Sequence, residues 1–198
     1  MHRQIFAVLL FAILASTQAD AKPPRPRDTP ILTSVSDLAL LGPKVRPLPQ
    51  RLWPIRRGET IRLQYPLSYL AQEVSPYGWR FSDHRDQWRL HAGHDLIAPS
   101  GTGVLAALSG KALLVQPISG YGLTVLLDHG NGWQTLYAHL LSARIRPGQL
   151  IQTGDLLGNV GKSGHASTSH LHFELRRFKN GQIMAIDPGP LLNQNALR

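Results

Sequence analysis

The sequence predicts an all-β domain built on an antiparallel sheet, and three observations predict it. From Tyr77 onward, short runs of leucine and β-branched residues alternate with glycines, the pattern of strands separated by turns. Asp128-His129-Gly130-Asn131-Gly132 interrupts two apolar runs and reads as a bulged hairpin turn, with glycine where positive φ is needed. No stretch after Tyr77 sustains helical periodicity over about a dozen residues, and the glycine spacing would break one that tried.

The strand-forming runs follow in order. GTGVLAAL (101–108) and GKALLVQP (110–117) are apolar runs, each opened by glycine. GLTVLLDHGNGWQTLYAHL (122–140) is a hairpin around the turn just named, and GQLIQTGDLLGNVG (148–161) places two short runs around Gly154-Asp155. In HLHFELRR (170–177) polar and apolar residues alternate, so Leu171 and Phe173 enter the core while His170 and His172 share the opposite face. No repeat of fixed period runs through the chain.

Composition bounds the rest. A chain of 198 residues accommodates one ordinary domain plus extensions without disulfide staples. With no cysteine, thiol nucleophiles, thiolate metal sites and a lipidated N-terminus are excluded, so any metal is held by nitrogen and oxygen. The start reads as a cleavable export signal over residues 1–21: a basic residue at Arg3, an apolar run from Ile5 to Leu14, then small residues ending in Ala19-Asp20-Ala21. Cleavage is expected after Ala21, with Ala19 as the other candidate. The apolar run is too short to span ~30 Å of hydrocarbon, so no stable membrane insertion is expected after cleavage. A net charge of +9 calls for a polyanionic partner. Export removes nucleic acid and leaves wall polymers, and the expected product is a monomer, periplasmic or secreted and wall-associated.

Residues 22–76 hold ten of the fifteen prolines and two of the eighteen glycines. This basic, proline-rich segment reads as an extended arm or linker, with one short helical turn at Ser36–Leu41. Between a wall-contacting or domain-packing arm and a solvated spacer, composition favours the spacer. The domain is then expected over 77–190, with 191–198 as a tail.

The chemistry lies in the histidines. His91 and Asp95 of HAGHD are an even number of residues apart, so an extended chain points both to one face and supplies two ligands, with Gly93 leaving room for an ion. His170 and His172 of HLHFE turn two imidazoles away from the core, where they serve packing poorly and function well. His139, in YAHL at a strand end, is by itself weak evidence. His84, His129 and His165 read as loop or turn residues, and His94 alternates away from the ligand face. His165 and Arg80 are weaker candidates for a substrate groove, with solvated surface as the ordinary reading.

HAGHD, YAHL and HLHFE in this order resemble the motifs of the lysostaphin-type (LytM-like) zinc metallo-endopeptidases of bacterial walls. The similarity covers roughly residues 77–190 and extends to the flanks YGWRF, GTGVLAALSG, DHGNGWQTLYAHL, GDLLGNVGKSG and IDPGPLL. It implies a LytM-like (barrel-sandwich hybrid) fold with a groove across one Zn²⁺ held by His91, Asp95 and His172, with His139 and His170 acting on water and substrate. The implied substrate is a stem-peptide or cross-bridge amide of peptidoglycan.

Two imidazoles and a carboxylate suit zinc and leave a fourth tetrahedral position open, and a metal-activated water removes any need for a serine or cysteine nucleophile. The sequence leaves open which ring is base and which is oxyanion donor; the face shared with His172 favours His170 as the base. Where relatives read small-Thr-Gly-Pro-His, this chain has Ser167-Thr168-Ser169-His170. Some relatives are held latent by an N-terminal asparagine. Residues 22–76 contain none, which leaves Asp28, Asp37, Glu59 or Glu73 as oxygen donors.

Two other functions are weighed. A non-catalytic regulator that activates a wall amidase would use the same fold, but such relatives typically lose the metal and catalytic positions. A biotinyl- or lipoyl-like carrier would modify Lys111, yet Lys111 reads as the start of a strand, not a hairpin tip. HExxH, GxSxG and Walker patterns are absent from the sequence.

Overall fold

The computed structural model describes residues 28–30, 60–82, 86–179 and 182–193. Its strands are β1 (Asp28–Pro30), β2 (Leu63–Gln64), β3 (Glu73–Ser75), β4 (Gly78–Ser82), β5 (Gln87–His91), β6 (His94–Ile97), β7 (Gly103–Leu105) and β8 (Gly110–Ile118). They continue with β9 (Gly122–Asp128), β10 (Trp133–Ala143), β11 (Leu150–Ile151), β12 (Leu156–Val160), β13 (His170–Lys179), β14 (Gln182–Ile186) and β15 (Leu192–Asn193). The one helical element among the described residues is a 3-10 turn at Gly189–Leu191. The all-β expectation holds, and no helix among these residues is long and apolar enough to cross a membrane.

The main sheet runs β1-β14-β13-β10-β9-β8-β11, with β12 joining β10 and β7, and β6 joining β13 and β3. Its pairs are antiparallel, β4 and β5 form a separate hairpin, and β2 lies parallel to β15. The expected hairpin turn connects β9 to β10. Gly130, Asn131 and Gly132 take φ of 78°, 49° and 77° there, and Gly130 N donates to Asp128 Oδ1, an Asx turn that fixes the register.

Strand β13 positions the site because its two faces differ. Leu171, Phe173 and Leu175 are fully buried in the core, and the Phe173 and Tyr137 rings pack 5.3 Å apart. The even-numbered residues from His170 to Arg176 occupy the other face, as period two requires.

The domain is longer than expected at both ends. Ile61, Leu63, Tyr65 and Leu67 belong to the core, so residues 60–76 are not a solvated spacer. Their alternation with Arg62, Gln64 and Pro66 is a strand pattern that the proline-rich composition masked. Pro66 is tolerated because only its carbonyl is used, accepting from Leu105 N. At the other end Leu191 and Leu192 pack on the core and β15 pairs with β2, so the packed unit runs past residue 190. The signal segment 1–21, the helical turn at 36–41, and His84 lie outside the described residues.

Two sequence readings of single residues gain detail. Lys111 sits inside β8, flanked by Asp128 on β9 and Leu150 on β11, so it is not at the exposed tip a carrier lysine needs. His129 belongs to the hairpin turn, but its ring is buried and bonded to Ser109 O and Thr135 Oγ1 at 2.8 and 2.7 Å.

Candidate metal centre

Antiparallel register brings the HAGHD and HLHFE motifs together. His172 on β13 is directly opposite Asp95 on β6, and β5 delivers His91 to the same point. His91 Nε2 lies 2.9 Å from Asp95 Oδ1 and 3.2 Å from His172 Nδ1, and His172 Nδ1 lies 2.8 Å from Asp95 Oδ1. Three donors from two distant motifs thus form one triangle. A tetrahedral zinc with bonds of ~2.0–2.1 Å separates its ligands by about 3.3 Å. The observed edges fall a few tenths of an ångström short of this, so the donor set fits such an ion in size and in chemistry.

Gly93 does not serve by leaving room for the ion. A Cβ there would stand 2.3 Å from the Phe173 carbonyl oxygen and 2.9 Å from its carbon; the glycine lets β13 approach the HAGHD segment closely enough for His172 to meet Asp95.

His139 reaches the groove by a backbone device. Ala138 pairs with His172, so plain alternation would turn His139 toward the core face. Instead His139 takes φ of 60°, the ladder breaks beyond Tyr137, and the ring stands 4.7 Å from that of His170 and 5.9 Å from that of His172. A left-handed conformation costs a non-glycine residue about 1–2 kcal/mol, and strain of this kind gathers at functional sites.

Backbone carbonyls set the tautomers of two rings. A carbonyl only accepts, so the Nδ1 of His139 and His170, at 2.8 and 2.9 Å from Ser163 O and Thr168 O, carries the proton in each. Each ring keeps Nε2 as its open nitrogen, and that of His170 lies 3.6 Å from Asp95 Oδ1. His91 turns its Nε2 to the triangle, while its Nδ1 lies 2.9 Å from Pro76 O and 2.7 Å from the Arg80 guanidinium, which also donates to Pro76 O.

His172 is the exception: its Nε2 meets Glu174 Oε1 at 2.9 Å, leaving Nδ1 for the triangle. Glu174 is fully buried and also takes hydrogen bonds from Tyr121 Oη and Arg176 Nε. Burial acts to raise the pKa of Glu174, but Arg176 and His172 outweigh it and hold the carboxyl well below the usual range. Burial likewise acts to raise Asp95, and hydrogen bonds from His172 and His91 carry it far below. His139 is pushed down to about 4, chiefly by burial.

These groups line an open groove of about 480 Å³. His165 is on its wall, together with Arg89, Ser167 and Gly120. The Ser167-Thr168-Ser169 departure thus supplies both a wall residue and the carbonyl that orients His170. His94 points away, as expected, and is bonded to Asp187 Oδ1 at 3.1 Å. Of the oxygen donors considered for latency, Glu73 is exposed on β3 opposite Ile97, Asp28 pairs by its backbone with Ile186, and Asp37 and Glu59 lie outside the described residues.

Sequence reasoning missed Glu174, Arg176 and Tyr121. For the first two a signal existed, since they continue the even-numbered face begun by His170 and His172. Tyr121 sits in a glycine-flanked loop with no periodicity to mark it.

Comparison with known proteins places the chain among peptidases. The profile of peptidase family M23 matches residues 89–188, half of the chain. The DD-carboxypeptidase/endopeptidase Mpg of Neisseria meningitidis is 41% identical over 133 residues, covering 65% of this chain and 30% of that protein. The murein hydrolase activator EnvC of Escherichia coli is 31% identical over 148 residues, covering 75% of this chain and 30% of that protein. The chain therefore matches less than a third of the length of either relative. Among solved structures, the catalytic domain of the antimicrobial peptidase lysostaphin from Staphylococcus simulans superposes with a TM-score of 0.52 at 27% identity, over 60% of this chain and 90% of that domain.

Proposed function

The chain belongs to peptidase family M23, and from that premise we propose that it is an exported, zinc-dependent endopeptidase that hydrolyses stem-peptide or cross-link amides of bacterial peptidoglycan. One observation carries the reading: His91 Nε2, Asp95 Oδ1 and His172 Nδ1 face one another within 3.2 Å on the floor of a groove that His139 and His170 also line. Such an arrangement suits a metal with one position open to substrate.

His91, Asp95 and His172 hold the zinc, which when bound supplies Lewis acidity toward a water and the scissile carbonyl. His170 Nε2, freed by the Nδ1 bond to Thr168 O and lying 3.6 Å from Asp95 Oδ1, takes the proton of the attacking water and returns it to the leaving amine. His139 Nε2, freed by Ser163 O, stands across the groove as an acceptor that orients the attacking water. Neither ring has an Nε2 proton to give at the outset, so the donor of the pair is His170 once it has taken the proton of the water.

The substrate reading draws support from the DD-carboxypeptidase/endopeptidase named among the relatives and from the net charge of +9, which favours an anionic wall over a neutral surface. Residues 1–21 serve as the export signal. Digestion of muropeptides of defined cross-link, with and without a chelator, tests the proposal. Cleavage abolished by the chelator and restored by zinc is expected; cleavage that ignores the chelator would discard the metal.

The resemblance to a murein hydrolase activator supports a second reading, in which the domain stimulates a separate wall amidase. The presence of all five site residues favours catalysis. The same assay separates the two, because an activator alone releases no peptide products.

A further inference from the structure

We infer that Glu174, anchored by Arg176 and Tyr121, is a positioning residue that fixes His172 in the tautomer offering Nδ1 to the metal. This rests on the metal reading above.

The four imidazoles are not equivalent. His139 and His170 each give their Nδ1 proton to a backbone carbonyl and so present Nε2, and His91 also turns Nε2 to the triangle. His172 must present Nδ1, because that nitrogen lies against Asp95 and His91. On β13 its Nε2 faces the side chain two residues along, and the group found there is the Glu174 carboxylate at 2.9 Å. An ionised carboxylate accepts and never donates, so it holds a proton on Nε2, and Nδ1, which faces Asp95 and His91, is the nitrogen left for a metal to take.

Glu174 is in turn held from two other directions. Tyr121 Oη donates to Oε1 at 2.8 Å, and Arg176 Nε donates to Oε2. Each carboxylate oxygen therefore has a partner, and the side chain has no rotational freedom to lose its hold on His172.

A purely structural role explains the cluster less well. Glu174 and Arg176 are 0% and 5% exposed, and a buried ion pair of this kind is typically replaceable by apolar residues of similar size without loss of stability. Fold stability alone does not call for charge here, whereas orientation of a ligand does.

Two variants and one spectroscopic measurement test this. Zinc affinity is read by competition with a chromophoric chelator, alongside thermal unfolding, in wild-type protein, Glu174→Gln, and the double variant Glu174→Leu/Arg176→Met. Both variants are expected to bind zinc about 10–100-fold more weakly, the double variant while remaining as well folded as the wild type. If wild type binds zinc and both folded variants bind it equally tightly, Glu174 has no positioning role and the inference is overturned while the metal reading survives. Wild-type protein that takes up no zinc at all would bring down both. Should neither variant fold, imidazole ¹⁵N spectra of zinc-loaded wild type decide: a protected proton on His172 Nε2 is expected, and a metallated or proton-free Nε2 contradicts the inference.

Discussion

His172 stands directly across from Asp95 in the β6·β13 ladder, its Nδ1 2.8 Å from Asp95 Oδ1. This cross-strand pair joins two motifs, its residues 77 positions apart, and it makes the candidate metal site a property of sheet register. A slip of one residue would send His172 to the core face and destroy it.

Asp95→Ala and His172→Ala are each expected to lose stoichiometric zinc in elemental analysis of purified protein and to lose muropeptide cleavage altogether. Full zinc content in either variant would place the ion elsewhere.

His139→Ala and His170→Ala are expected to keep one zinc while turnover falls by about 10²–10⁴-fold, the usual contribution of a positioned acid or base. Parallel zinc analysis and single-substrate kinetics check this, and wild-type turnover in both variants would rule out the assigned roles.

The left-handed backbone at His139 yields a prediction about stability alone. His139→Gly and His139→Ala both remove the ring, but only alanine keeps a Cβ at φ of 60°. The glycine variant should be the more stable of the two by about 1–2 kcal/mol in denaturant titration. Equal stability would mean that the backbone relaxes when the ring is gone.

Gly93→Ala is expected to destabilise the protein and weaken zinc binding together, because the added methyl meets the Phe173 carbonyl at 2.3 Å and must push β13 away from Asp95. Thermal unfolding and chelator competition on one sample would register both effects; intact zinc affinity would show that the strands can part without moving His172.

His129 governs part of the acid response. Burial depresses its folded-state pKa to about 4, against about 6.5 in the unfolded chain. Above pH ~6.5 both states are neutral and the full stability is present. As pH falls from there toward 4, the unfolded chain takes up a proton that the folded one refuses, so stability declines by up to about 3 kcal/mol. His129→Gln should flatten the wild-type profile across that window, seen as a wild-type-minus-variant difference in unfolding free energy that changes with pH.

How much of this was legible beforehand depended on the kind of signal. The even-numbered face of β13 follows from alternation in HLHFELRR, and the same rule, carried two residues further, reaches Glu174 and Arg176. The segment 61–67 around β2 obeys it too in its I-R-L-Q-Y-P-L alternation, but proline counts over a long window mask so short a signal. His139 carried weight only through resemblance. Nothing in a lone histidine at a strand end announces a backbone bulge that re-aims the ring.

The linear chain determined, through period-two patterning and glycine turns, that the domain is all-β, and its motifs, with the family resemblance they carry, singled out five candidate site residues. Only the tertiary structure decided which nitrogen each imidazole presents, that Gly93 serves strand approach, and that a buried carboxylate stands behind His172. The physical reason is that alternation is a local property of consecutive residues, whereas tautomer, register and close approach are set by groups contributed from distant strands.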